Sequence, residues 1–209
     1  MTRINWVVDP GKFMSREEVR KLIRSLRDRA RAASARGHKV AVRDYFVIDL
    51  ALSTGLRVME IASLKCGDIF LEDGTSSLIV RSGKGNKRRV VRFNGALRRH
   101  CEQYLRWKTA IGEPTDLRDP LVFSSNTRGH MTTRALQKIF KRALARSGVS
   151  SRYTFHCQRH TYASHLYKAS GYNLRLVQKQ LGHSSVHITE VYADVMNPDL
   201  SKSLSKLYA

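Results

Sequence analysis

The chain has 209 residues, 42% of them hydrophobic, which suffices for one packed domain or at most two small ones. Its 38 Lys and Arg stand against 17 Asp and Glu, a net charge of +21 that points to a polyanionic partner. No apolar run approaches the roughly 20 residues needed to cross a bilayer, and the opening MTRINWVVDPGKF lacks a secretory apolar core. The three cysteines, Cys66, Cys101 and Cys157, are odd in number and lack metal-ligand spacing, so reduced thiols in a cytosolic protein are expected.

Residues 1–14 read as an extended lead-in. Ser15 and Glu18 have capping-box spacing, and Val19, Leu22, Ile23, Leu26, Ala30 and Ala33 then recur at helical intervals until Gly37. The other face carries Arg16, Arg20, Lys21, Arg24, Arg27, Arg29 and Arg31. A solvated face is the ordinary meaning of such a run; phosphate contact is the alternative. A second helix over 40–53 is apolar at Val42, Phe46, Val47, Ile48, Leu50, Ala51 and Leu52 and reads as buried core. TGLRVMEIASL follows, with a break at Gly55 and packing residues Leu56, Met59, Ile61, Ala62 and Leu64. Arg57 and Glu60 lie three apart there. They are either a surface ion pair or an arginine aimed at a ligand and steered by its own carboxylate.

Residues 67–93 have strand character, with 68–71, 77–80 and 89–93 as candidate strands of a small antiparallel sheet. Gly74 marks the first turn and GKGNK the second. The second hairpin carries Arg81, Lys84, Lys87, Arg88, Arg89 and Arg92 with no acid between them, and a nucleic-acid backbone is the simplest counter-charge. Lys84, between two glycines, can extend into a deep site. Helices are expected again over 97–111 and from Thr132 or Thr133 to Ser147, the latter stopped by Gly148. That helix sets Arg134, Lys138, Lys141, Arg142 and Arg146 opposite Leu136, Ile139, Phe140 and Leu144.

The stretch 153–195 is the richest in chemistry. His156 and Arg159 share a helix face. Leu181-Gly182-His183 reads as a helix end, with the glycine leaving the helical path. Tyr192 lies in a short amphipathic run with Val186, Ile188, Val191 and Val195. Two histidines, an arginine and a tyrosine on neighbouring helices can converge on one anionic group, for which a phosphate is the natural choice. After Pro198, Leu200, Leu204 and Leu207 keep helical spacing in a polar tail. The expected fold is mainly α with a small three-stranded antiparallel β-sheet.

Taken together these motifs resemble the catalytic domain of the tyrosine recombinase family, the phage integrases and Xer-type recombinases. The resemblance rests on TGLRVMEIASL with Arg57, GKGNKRRVV with Lys84, HCQRHTYASHL with His156 and Arg159, LGHSS with His183, and VYADV with Tyr192. It spans residues 12–196. Each motif alone occurs by chance; five in order, in the expected helix and hairpin contexts, carry the resemblance.

The resemblance implies a DNA breaking-rejoining fold and a reaction. Tyr192 is the expected nucleophile on the scissile phosphate, giving a 3′-phosphotyrosine and a free 5′-hydroxyl. Arg57 and Arg159 clamp the non-bridging oxygens. Lys84 is the general acid to the leaving oxygen, with Lys87 on the same hairpin as its alternative. His156 is a general acid/base near the tyrosine, His183 donates a hydrogen bond to the phosphate, and Glu60 supports the site without reacting. No metal, cofactor or ATP is implied. Lys87, Arg88 and Arg89 are candidate DNA-backbone contacts. The implied partners are double-stranded DNA with a specific recombination site, further copies of the chain in a tetramer on DNA, and an accessory DNA-bending protein. The implied setting is a bacterial or phage cytoplasm and its nucleoid, in a mobile element or inversion system.

In domain terms, 1–14 is the lead-in, 15–197 the catalytic domain, and 198–209 a tail exchanged between protomers. Most family members carry a separate N-terminal helical domain. This chain starts almost at the catalytic domain, which implies a naturally short member, like the small inversion recombinases, or a fragment. Cys157 falls inside the HxxR motif, where the family usually has a polar or charged residue, and is expected to be tolerated. Two rival readings stay open: a non-enzymatic DNA-binding factor on the same fold, and a type IB topoisomerase-like activity that relaxes DNA without choosing a site.

Overall fold

The computed structural model describes residues 13–72, 76–81, 88–124 and 129–182. The first helix, α1 (Arg16–Ser34), starts at the expected box: Ser15 Oγ accepts the Glu18 N–H at 3.1 Å, and the Glu18 carboxylate accepts the Ser15 N–H at 2.8 Å. It buries Leu22, Leu26 and Ala30. The helix stops three residues before Gly37, which lies in the turn that follows.

Helix α2 (Lys39–Thr54) is the core helix, packed against α1. Phe46, Val47, Ile48, Leu50 and Ala51 are fully buried, as its apolar content predicts. It also buries Arg43 and Asp44, which apolar content does not predict. The pair survives burial because it is internally satisfied. Arg43 Nε and Nη2 donate to Asp44 Oδ1 at 3.1 and 2.8 Å, and the guanidinium lies 5.4 Å from the Phe123 ring centre. Gly55 ends α2 at φ 64°, and an added Cβ would lie 2.4 Å from Tyr162 Cδ1. Glycine is needed there for both backbone angle and space.

Helix α3 (Val58–Ser63) follows at once, then one turn of 3-10 helix at Cys66–Asp68. The sheet runs β1 (Ile69–Phe70), β2 (Ser77–Val80) and β3 (Arg89–Arg92), antiparallel and in that spatial order. Leu78 pairs with both Ile69 and Val91, and Leu78, Val80 and Val91 face the core. β2 has the predicted bounds, and β1 and β3 sit where predicted but are shorter.

Helix α4 (Gly95–Ala110) begins earlier than its apolar spacing suggests, because Asn94 Oδ1 accepts the Leu97 N–H at 3.0 Å. Its Tyr104 stacks on Phe46 at 3.7 Å between ring centres. Its Lys108 is fully buried, with Nζ donating to Pro120 O at 2.7 Å and to Pro114 O, and lying 3.5 Å from Cys66 Sγ. Helix α5 (Thr133–Ser147) has Thr132 as N-cap and Gly148 as left-handed C-cap, both as expected. Helices α6 (Phe155–Ala169) and α7 (Leu174–Leu181) pack together over Ala163, Tyr167, Val177 and Leu181, a small cluster beside the main core. All three cysteines are free. No helix among the described residues is long and apolar enough to cross a membrane.

Candidate active site

Two helix starts aim their side chains at one place. Arg57 is the N-cap of α3, and His156 and Arg159 lie in the first turns of α6. All three line a groove of about 860 Å³, whose other wall is α5, with Arg134, Gln137, Lys138, Lys141 and Arg142. Orphan backbone N–H groups at helix starts favour anions, so helix polarity and side-chain charge share one sign.

Arg159 is the most constrained of the three. It is 3% exposed, and Nη1 donates to Gly55 O at 2.7 Å while Nη2 donates to Leu181 O at 2.8 Å. Those carbonyls belong to the C-terminal ends of α2 and α7, where helix dipoles present negative charge. A permanently charged, planar group is therefore fixed by two acceptors 126 residues apart in the chain, from Gly55 to Leu181.

Arg57 is held differently. Its Nη1 donates to Glu60 Oε1 at 3.0 Å, and its backbone N–H donates to Glu60 Oε2 at 2.8 Å. The pair is not a surface one, because Glu60 is only 4% exposed. Arg89 completes the arrangement from β3. Nη1 and Nη2 donate to Glu60 Oε1 and Oε2, both at 2.8 Å. Burial alone would push the Glu60 carboxyl up. The hydrogen bonds and charge of Arg89, the Arg57 N–H and the charge of Arg159 outweigh that and hold it below the ordinary carboxylate range.

His156 keeps an exposed edge and packs edge-on against His160 at 4.6 Å between ring centres. Desolvation, then the charges of Arg159 and Arg57, hold its imidazole below the usual value, so it is neutral at pH 7. Cys157 has a job of its own: the Thr154 N–H donates to its Sγ at 3.2 Å, so the thiol caps the start of α6. Gln158, between the two site residues, is buried with neither side-chain atom hydrogen-bonded among the described residues.

Arg57, Glu60, His156 and Arg159 are thus brought together. Arg88 is exposed on the hairpin. Arg89, assigned to DNA on hairpin charge alone, instead turns inward, its side chain 12% exposed against Glu60. Strand alternation carried the signal: Arg89 shares a face with buried Val91, two residues on. Lys84, Lys87, His183, Tyr192 and the tail 198–209 lie outside the described residues.

The Phage integrase family model matches residues 12–197, nearly the whole chain. The chain belongs to the phage integrase family. It is 31% identical over 153 residues to the tyrosine recombinase XerC of Vibrio vulnificus (strain YJ016), covering 73% of this chain and 46% of that protein. It is 30% identical over 184 residues to the tyrosine recombinase XerD of Listeria innocua serovar 6a, covering 88% of this chain and 58% of that one. Among solved structures, the XerH site-specific recombinase bound to difH substrate in a pre-cleavage complex matches with TM-score 0.71 and 25% identity, over 95% of this chain and 53% of that chain. The Tn1549 transposon integrase in complex with circular intermediate DNA shares the fold at TM-score 0.71, with 20% identity over 97% of this chain and 68% of its own. The chain spans about half the length of the curated relatives it matches. The mainly helical, three-stranded architecture is that of a tyrosine recombinase catalytic domain.

Proposed function

We propose that this chain carries the catalytic centre of a site-specific DNA recombinase that cuts and rejoins strands through a 3′-phosphotyrosine. One observation supports the reading above the others: Arg57, His156 and Arg159 line a single groove in a chain of net charge +21. Two fixed guanidiniums suit the two non-bridging oxygens of a phosphodiester. Their charge opposes what grows as the phosphorus becomes five-coordinate.

In the reaction, the Tyr192 oxygen attacks phosphorus and its proton passes to His156, whose depressed pKa leaves it neutral and able to accept. The bond from phosphorus to the 5′-oxygen breaks, and that oxygen takes a proton from Lys84, or from Lys87 in its place. The products are a 3′-phosphotyrosine and a 5′-hydroxyl. Attack by a 5′-hydroxyl of a second strand reverses each transfer and releases the tyrosine. One phosphoester replaces another at each step, so no nucleotide is consumed. His183 donates to the phosphate, and Lys87 and Arg88 contact the DNA backbone. Four copies gather on two sites, with the tail 198–209 exchanged between them, and an accessory protein bends the DNA. The setting is the nucleoid of a bacterial or phage-infected cytoplasm.

The test is covalent trapping. The protein is incubated with a library of nicked duplexes of randomised sequence, and adducts are separated on a denaturing gel and sequenced. Wild type is expected to trap DNA of one sequence class, and Tyr192→Phe none. DNA binding without any adduct would make the chain a non-enzymatic DNA-binding factor. Adducts of arbitrary sequence, with relaxation of supercoiled plasmid, would make it a topoisomerase-like enzyme.

A further inference from the structure

Arg89 is the one hairpin cation among those described that sits deep in the fold. Each Glu60 oxygen takes two donors, one from Arg57 and one from Arg89. The Arg89 stem crosses Gly182: a Cβ added there would lie 2.4 Å from Arg89 Cδ and 2.8 Å from Nε. Its Nε is buried without a hydrogen-bond partner among the described residues, facing a glycine that caps α7 at φ 67°. Gly182 immediately precedes His183 in the sequence.

We propose that Arg89 is a positioning residue of the active site: through Glu60 it holds the Arg57 guanidinium at the groove, and by resting on Gly182 it sets the end of α7. The proposal rests on the recombinase reading above and replaces a role for Arg89 on the DNA backbone.

The physical reason is charge and geometry together. Glu60 and Arg57 alone form a neutral pair, and a nearly buried carboxylate would draw the guanidinium onto itself. With Arg89 the trio carries a net positive charge, and the carboxylate is already satisfied by a planar fork of fixed direction. Arg57 is then steered by Glu60 without being neutralised by it. The four hydrogen bonds leave the carboxylate little freedom to rotate, so Arg57 keeps one orientation before any phosphate arrives.

The experiment separates holding from contacting. Single-turnover cleavage of the trapped nicked duplex is measured for Arg89→Gln, Glu60→Gln, the double variant and Arg89→Lys. Binding of a random-sequence duplex is measured against salt for wild type, Arg89→Gln, Arg57→Gln and the variant carrying both. Arg89→Gln is expected to slow cleavage at saturating DNA about 100-fold, and to lower the salt slope no further once Arg57→Gln is already present, because Arg89 reaches the phosphate only through Arg57. The double variant should be no slower than the worse single one, because the two residues act as a unit. Arg89→Lys, which keeps one ion pair and folds more readily, should restore about ten-fold. A salt slope lowered by about one further unit when Arg89→Gln is added to Arg57→Gln, as for a separate phosphate contact, would overturn the proposal, as would rate losses that multiply in the variant carrying both Arg89→Gln and Glu60→Gln. If wild type traps no DNA, the recombinase reading fails by itself. The salt slope, with a urea-unfolding cycle for Arg89 and Glu60, still decides whether Arg89 pairs inward or faces DNA.

Discussion

Two basic clefts flank α5 and share Arg142, yet they are built on different principles. In the candidate active site, Arg159 is buried on two helix-end carbonyls and Arg57 is tied to a buried carboxylate that a second arginine also holds. On the other side, a cleft of about 710 Å³ between α1, the start of α2 and α5 is lined by Arg29, Arg36, Lys39, Arg142 and Arg146. Four of these are exposed, and Lys39 pairs with Glu113 at 2.6 Å with 43% of its side chain still accessible. Cation number alone does not mark a reactive site. What sets the candidate active site apart is that folding itself holds Arg57 and Arg159, the arrangement that favours a phosphate bound without reordering. Both clefts carry exposed cations, and only the inner one adds cations fixed by the fold, Arg57 and Arg159.

The largest expected effect is at Arg159. Arg159→Lys keeps the charge but cannot span both carbonyls, and should cut cleavage by about 10³ and lower unfolding stability by about 2 kcal/mol. Urea denaturation beside adduct formation checks both. A variant losing activity with stability intact would separate the anchoring role from the chemical one.

Next comes His156, whose pKa is depressed. For the free enzyme, the base form is lost only as pH falls through a value below the usual imidazole 6.5 or so. The second-order rate constant of cleavage should therefore be flat near pH 7 and decline at lower pH. His156→Asn should be about 100-fold slower and lack that decline. A wild-type decline centred above the usual imidazole value would contradict the depression.

The smallest effect belongs to the outer cleft. Replacing Arg29, Arg36 and Arg146 together with Gln should change unfolding stability by no more than about 0.5 kcal/mol. It should slow association with DNA at low salt, because only steering is lost. Stopped-flow binding checks this; a large loss of stability would mean that the two clefts are more alike than their exposures suggest.

The sequence carried the scaffold well because helix ends are local. Ser15 with Glu18, Thr132, Gly148 and Gly182 all act as caps where spacing places them. Arg57 with Glu60, and His156 with Arg159, were legible for the same reason, since three-residue spacing fixes a shared face. What escaped was long-range or backbone-borne. The acceptors of Arg159 are main-chain carbonyls, which any residue type supplies. Arg89 meets Glu60 across 29 residues, and hairpin charge pointed outward while strand alternation pointed in. Arg43, Asp44 and Lys108 escaped because burial of a charge depends on partners that only the fold assembles.

Anchoring Arg159 on the last carbonyl of α7 has a thermodynamic consequence. The guanidinium holds the helix ends behind it, and in the proposed function it also holds an incoming oxyanion in front. Anything that secures α7, including placement of the chain that continues beyond it, raises the affinity of the groove for that oxyanion, and by reciprocity an occupied groove secures α7 by an equal free energy. On the proposed reading, phosphate binding at Arg159 and the ordering of the end of α7 are thereby a single coupled equilibrium, read out through one side chain.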